Sequence, residues 1–393
     1  MKSILTVNAG SSSLKASLYV IAEGKLNSIL SYTASRLLET GAVKCKLSES
    51  GEVREYPLDM QEGELAHPAA IRGLLSEIET LDGEYEVVAV SHRIVHGGNY
   101  NKPQVLTSDV MAELRAKEPL APLHQPHNLA MVQLMSNAFP EAEQVGCFDT
   151  MFHAQDRGFI RENYAIPKEL RDQGVKRYGF HGLSYEYISK ALKAEYPELA
   201  KGRVIVAHLG SGASLCAIHD GKPVLSTMGF SAVDGLPMGT RTGCLDPGIL
   251  LYLLDHLGWS TDQVEAMLYK NSGIKGLSGL SGDFKAVLDA DSAEADQAIE
   301  YFCHWTAYHM AGLAQSMGGL DTVVFTAGVG EKSPEIRSLI MASMEWQGFK
   351  LNEMRNAVNH RGVINTVHSN KSVILMSTNE ELVLAEHASE LLR

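Results

Sequence analysis

Cysteine is scarce in this chain: five residues in 393, at positions 45, 147, 216, 244 and 303. The number is odd and no pair is spaced C-x-x-C, which argues against a disulfide framework and points to a reducing cytosol. Positive charge is also short, with 34 Lys and Arg against 47 Asp and Glu and a net charge of −13. Such a balance disfavours non-specific binding to nucleic acid or to an anionic membrane face. It leaves small anionic substrates open, because a few arginines can invert the field inside a cleft. No stretch approaches the ~20 apolar residues of a membrane span. Low-complexity linkers are absent, and so are HExxH and Walker A patterns. The first residues, Met1 to Val7, hold one short apolar run before Asn-Ala-Gly and read as a first strand rather than a signal peptide. What is present is ordinary for a globular protein: 45% hydrophobic and 21% charged residues. At about 150 residues per domain, the length suggests two to three domains.

Short β-branched runs bounded by Gly, Asn or Ser predict strands at 4–7, 16–21, 87–90, 145–148, 204–207, 214–218, 322–326 and 373–376. Apolar residues at i, i+3, i+4 predict helices at 69–81, 109–116, 129–138 and 185–194. Asp246-Pro247 opens a helix expected to run through Leu257, and Ser333-Pro334 repeats that start signal. The segment 293–316 is long and apolar-rich, which suits a buried helix or a subunit contact, and an amphipathic segment at 379–392 closes the chain. Strands mixed with helices argue an α/β fold. One internal similarity stands out. Residues 4–19 and 204–218 share the layout strand, Gly/Ser turn, strand, with Gly10 aligned on Gly210 and Ser11 on Ser211. Each copy is followed by a small turn and a further strand-like run. Two copies about 200 residues apart suggest a duplicated domain, with chance similarity of two Gly-rich hairpins as the alternative.

Several segments have the composition of chemical sites. A Gly/Ser hairpin tip offers backbone N–H groups and hydroxyls to an anion. Asn8, Ser11, Ser12 and Lys15 form one such tip and His208-Leu209-Gly210-Ser211-Gly212 the other, although a plain turn is the simpler reading of each. Residues 326–331 form a third Gly-rich turn, after a strand and before the Ser333 helix. Arg93, in a segment with His92, His96, Gly97 and Gly98, and Arg241, in a Gly-rich loop, offer planar forks for carboxylate or phosphate oxygens. The alternative for any arginine is a surface ion pair. Asp149 follows a strand, a usual catalytic position in α/β folds, and could equally cap a helix. His181 sits between two glycines as a metal ligand, a core histidine or a transition-state donor. Among 15 histidines, the pairs 92/96 and 124/127 lie on no clear helix, and Pro122 and Pro126 break the second segment. A zinc site is therefore disfavoured.

Taken together, residues 8–15, 91–98, 121–127, 148–153, 177–182, 208–212, 238–243 and 378–381 occur in the order of the acetate kinase family, which the chain resembles over nearly its whole length. The resemblance implies two duplicated actin-like, ribonuclease H-like α/β domains with a nucleotide cleft between them. The expected division is residues 1–148, joined by the C-terminal helix 382–393, and residues 149–381. The implied reaction is Mg²⁺-dependent phosphoryl transfer from ATP to acetate, with Mn²⁺ as a substitute ion, ADP as product, propionate as an alternative acceptor and a cytoplasmic homodimer as the assembly. Arg93 and Arg241 resemble the pair that holds carboxylate and phosphoryl group. Asp149 matches the catalytic aspartate and His181 the transition-state histidine. Asn8, Lys15 and Glu380 match positions around phosphates and Mg²⁺, with Glu381 adjacent to the last. His208, Leu209, Gly210, Ser211 and Gly212 match one nucleotide segment, Asp283, Phe284 and Lys285 a second, and Gly328, Val329, Gly330, Glu331 and Lys332 a third. Val95, Leu123 and Phe180 resemble the acyl pocket. The chain departs from the family's frequent residues at Ser211, Lys285 and Lys332, which bears on the phosphoryl donor, and at Cys244. Ala232 stands where a proline often lines the acyl pocket.

Overall fold

The computed structural model describes every residue except 11–12, 38–40, 49, 62–63, 82–84 and 123. The chain forms two compact units, Met1–Ala154 with Asn379–Arg393, and Gln155–Thr378. The first contains β1 (Lys2–Ala9), β2 (Ser13–Ala22), β3 (Lys25–Ser35), β4 (Ala42–Leu47), β5 (Val53–Pro57), β6 (Glu86–Ile94), β7 (Gln104–Val105) and β8 (Glu143–Phe148). They lie in one sheet in the order β5-β4-β3-β2-β1-β6-β8-β7. The second unit contains β9 (Arg203–Leu209), β10 (Ala213–His219), β11 (Lys222–Ser226), β12 (Thr322–Thr326), β13 (Gly362–Val363) and β14 (Ser372–Leu375), in the order β11-β10-β9-β12-β14-β13.

The two sheets repeat one plan. β1–β2 and β2–β3 are antiparallel, and β6 and β8 then add in parallel. β9–β10 and β10–β11 are antiparallel, and β12 and β14 add in parallel. One edge corresponds too, with β7 antiparallel to β8 and β13 antiparallel to β14, whereas β4 and β5 at the other edge have no counterpart among the described residues. The fold is α/β with two actin-like sheets, and the likeness of residues 4–19 to 204–218 falls on the equivalent hairpins β1–β2 and β9–β10. The central strands read as continuous apolar runs because they are covered on both faces; Ile4, Leu5, Val7, Val204, Ile205 and Val206 are all buried. In the first unit the helix Glu380–Leu391 packs on β1 and β6, and a bond from Ser91 Oγ to the Leu384 carbonyl at 2.8 Å ties it down. In the second unit Phe302, on the helix Ala293–Ser316, meets Phe284 edge-on at 4.7 Å.

Local expectations fail at three places. Pro126 does not break its segment: it occupies the first turn of the helix Gln125–Ala138, where its missing N–H costs nothing. The helix starting at Pro247 widens to a π turn at Tyr252–His256, where the Leu257 N–H reaches the Tyr252 carbonyl. The Gly-rich turn expected at 326–331 is instead a short helix, Ala327–Lys332, entered through Ala327 at φ +67°. Arg337 explains how a segment with two glycines stays helical. It is fully buried and donates Nη1 to the Gly330 carbonyl at 2.8 Å, while Asn356 and Asn359 take its other donors. Burial lowers its pKa to about 10.

Candidate active site

In the first unit, β1, β6 and β8 are adjacent and parallel, so their carboxyl ends share one edge of the sheet. That edge gathers Asn8 from β1, Arg93 from β6 and Asp149 from the turn after β8; Asp149 caps no helix. The Arg93 fork is bidentate, with Nε to Asp149 Oδ1 at 2.8 Å and Nη2 to Oδ2 at 2.7 Å. Its Nη1 donates to Asn8 Oδ1 at 3.0 Å. Asn8 Nδ2 in turn donates to Glu380 Oε2 at 3.0 Å and to Glu381 Oε1 at 3.4 Å. Both glutamates lie in the first turn of the terminal helix, which its packing on β1 and β6 delivers to this edge. Burial acts to lower the Arg93 pKa, but the charges of Asp149 and Glu380 outweigh it and raise the value overall. Asp149 has a 2% exposed side chain, and both of its oxygens accept from that fork.

Glu380 and Glu381 offer hard carboxylate oxygens beside Asn8, whose own Oδ1 is turned to Arg93. Mg²⁺ usually takes one or two carboxylates and completes its shell with water and phosphate oxygens, so this set fits it. Among the described residues no group of three or more His, Cys, Asp or Glu could hold a metal by itself. Lys15 is exposed on β2, and Val95 is buried just past β6. Leu123, Ser11 and Ser12 lie outside the described residues.

In the second unit, His181 caps the helix Gly182–Glu195 in the left-handed region, φ 56° and ψ 26°. That conformation costs a non-glycine residue about 1–2 kcal/mol. The ring stacks on His208 with centroids 4.2 Å apart. Its Nδ1 is 2.8 Å from Ser214 Oγ, at the start of β10. Its Nε2 lies 3.5 Å from the point where a Cβ on Gly212 would stand, and Arg241 Nη1 lies 3.7 Å from the same point. The two nitrogens thus converge over a glycine, where any side chain would stand against both. Arg241 Nη1 also donates to the Ala232 carbonyl at 3.0 Å. The Arg241 loop is clasped by residues 272–275, whose N–H groups bond the carbonyls of Met238, Gly239 and Thr240. Gly273 must be glycine there, at φ +61° and with its Cβ position 2.0 Å from the Met238 carbonyl oxygen. Phe180 is buried next to His181.

The three expected nucleotide segments meet in the second unit. A cavity of about 400 Å³ is lined by Gly210 and Ser211, by Asp283, Phe284 and Lys285, and by Gly328, Val329 and Lys332. Phe284 is buried, whereas Lys285 is exposed and pairs with Asp289 one helical turn on. Of the other segment members, His208 and Leu209 are buried at the end of β9, and Glu331 accepts from Ser377 Oγ at 2.6 Å. A larger cavity in this unit, about 940 Å³, lies elsewhere, beside Arg157, Arg161, Arg177, Asp234, Cys244 and the helix Ala293–Ser316. Sequence reasoning missed Ser214 and Tyr185, whose hydroxyls stand behind His181. Only the spacing of Tyr185, one helical turn after His181, hinted at the second.

The profile of the Acetokinase family matches residues 3–386. An acetate kinase of Methylocella silvestris is 43% identical over 397 residues, covering 99% of this chain and 98% of that protein. Among solved structures, a propionate kinase from Francisella tularensis superposes with TM-score 0.87 at 34% identity, covering 98% of this chain and 99% of the other. Porphyromonas gingivalis acetate kinase superposes with TM-score 0.83 at 32% identity over 100% of both chains.

Proposed function

This chain belongs to the acetokinase family, and we propose that it transfers the terminal phosphoryl group of ATP reversibly to acetate, giving acetyl phosphate and ADP. Membership makes it a phosphotransferase with a carboxyl group as acceptor. The observation that carries the finer reading is the convergence of His181 Nε2 and Arg241 Nη1 on the space over Gly212. We take the unit with β1–β8 as the N-terminal acetokinase domain and the unit with β9–β14 as the nucleotide-binding domain.

Acetate, with a solution pKa near 4–5 like side-chain carboxyls, is already ionised at pH 7. The acceptor therefore needs no general base, unlike the hydroxyl acceptors of sugar kinases. Both Asp149 oxygens are engaged by the Arg93 fork, which suits an orienting role better than proton abstraction. The obstacle to transfer is bringing one anion to another. Arg93 would hold the carboxylate, and Arg241 with His181 would take the charge that spreads over the equatorial oxygens during in-line transfer. When bound beside Asn8 and Glu380, Mg²⁺ supplies further charge neutralisation on the phosphates. The cavity shared by Ser211, Lys285 and Lys332 is assigned to the nucleoside end of ATP.

Trapping of acetyl phosphate as its hydroxamate, with ATP, Mg²⁺ and acetate, tests the reading. Product that depends on all three is expected, and its absence from folded enzyme overturns the assignment. Propionate is a second acceptor to test, because Ala232, small where the family often has proline, lies beside Arg241. One methylene in an apolar pocket discriminates by only about 1–3 kcal/mol, so C2 and C3 acids are both expected to react, and a preference for the C4 acid would contradict this reading. A homodimer is proposed through the helix Ala293–Ser316, whose outer face leaves Tyr301 43% and Tyr308 61% exposed. Light scattering that gives a monomer would remove that proposal. A cytosolic setting is supported by all five cysteines lying outside any disulfide.

A further inference from the structure

His181 and His208 are held by a crossed pair of serines. The segment His181 to Tyr185 supplies Ser184, whose Oγ is 2.8 Å from His208 Nδ1. The segment His208 to Ser214 supplies Ser214, whose Oγ is 2.8 Å from His181 Nδ1. Strand pairing makes this possible, because Ser214 on β10 sits directly opposite His208 on β9. Tyr185 then closes on the same atom, its hydroxyl hydrogen-bonded to Ser214 Oγ. Ser214, Ser184 and Tyr185 are fully buried, so none of these hydroxyls exchanges its partner for bulk water at little cost.

The His181 ring is therefore constrained on every side that matters. The His208 stack fixes its plane. The Ser214 hydroxyl fixes its Nδ1 edge. Gly212, two residues before Ser214 on the same hairpin, brings no side chain against the Nε2 edge, which lies with Arg241 Nη1 over that glycine. A serine hydroxyl has one proton to give and lone pairs to accept with. If Tyr185 donates to Ser214 and Ser214 donates to Nδ1, the neutral ring must carry its proton on Nε2. The strained backbone of His181 is then a cost tolerated to aim that edge.

We propose that Ser214 and Tyr185 are positioning residues that hold His181 as its Nε2–H tautomer, aimed at the space over Gly212. The inference rests on the reading that His181 donates to the transferring phosphoryl group. Neither hydroxyl touches substrate; both act through the ring.

Long-range ¹⁵N–¹H correlation spectra of histidine-labelled enzyme, with His181 assigned by its loss in His181→Gln, read the tautomer directly. The expected pattern is a protonated Nε2 and an unprotonated Nδ1, and the opposite pattern overturns the proposal. Ser214→Ala is expected to lower kcat about tenfold or more, as loss of an orienting hydrogen bond behind a functional histidine does, while KM for acetate and ATP stays within about threefold. The His181 signal should move to a mixture of tautomers. Should Ser214→Ala fail to fold, Tyr185→Phe carries the same test, with a smaller fall in kcat and the same direction of spectral change. An unchanged kcat with an unchanged His181 signal in the folded variant overturns the proposal. Full turnover in His181→Gln has a different meaning: it removes His181 from the reaction, and the spectra still report the tautomer.

Discussion

Substitution of Gly212 by alanine separates folding from chemistry at this site. The added methyl meets His181 Nε2 at 3.5 Å, and His181 Cε1 and Arg241 Nη1 at 3.7 Å, which is ordinary van der Waals contact. The backbone there lies outside the left-handed region, so alanine brings no conformational strain. Gly→Ala at a compatible position stabilises a chain by about 0.4–1 kcal/mol through the unfolded state. Folding should thus be unaffected or slightly favoured, within about 1 kcal/mol. Catalysis should not survive as well, because the methyl stands against both nitrogens and crowds out an anionic oxygen that approaches them. Loss of one preorganised donor costs about 10²–10³ in kcat, and displacing the oxygen from two costs at least that. The assay is steady-state hydroxamate formation beside a thermal melt of the same preparation. Turnover within about threefold of wild type, in a variant that melts normally, would refute the claim that this space receives the phosphoryl group. Gly273→Ala is the contrasting control. Its Cβ position is 2.0 Å from the Met238 carbonyl oxygen at φ +61°, so stability and turnover should fall together.

Other outcomes follow from the same geometry. Arg241→Ala should lose at least about 10²-fold in turnover while remaining folded, and near-normal turnover would take Arg241 out of the site. Asp149→Ala removes one partner of a bidentate pair, so denaturant unfolding should show a loss of stability, kept below the ~3–5 kcal/mol of a stranded buried charge because Glu380 still lies 3.9 Å from Arg93. No loss at all would mean that Asn8 and Glu380 suffice to hold the Arg93 charge. His92 is 2% exposed, and burial lowers its pKa from 6.5 to about 4. Above pH 6.5 the ring is neutral whether folded or unfolded. As pH falls from 6.5 towards 4 the unfolded chain takes up a proton that the folded chain refuses, and stability drops by about 3 kcal/mol over that window. His92→Gln should flatten this part of the stability–pH curve, and a curve of unchanged slope would show that His92 is not responsible.

Residue order alone determined the hairpins at 4–21 and 204–218, the helices at 293–316 and 379–392, and the α/β class, because period, Gly turns and runs of buried β-branched residues are local signals. Local signals were weaker at β4 and β5, where alternation is short and half exposed, and misleading at 327–332, where two glycines read as a turn. There the deciding group is Arg337, which holds the Gly330 carbonyl from a following helix. Side-chain type likewise marks arginine, aspartate and histidine as groups able to carry chemistry, without saying which of them meet. Only the tertiary structure decided that positions 8, 93, 149 and 380 form one hydrogen-bonded set, since that follows from β1, β6 and β8 lying side by side with the terminal helix across them. Only it decided that Ser214 and Tyr185 stand behind His181. The physical reason is one of range. A strand's own sequence reports which of its faces is buried, whereas the identity of its neighbour depends on the packing of the whole chain.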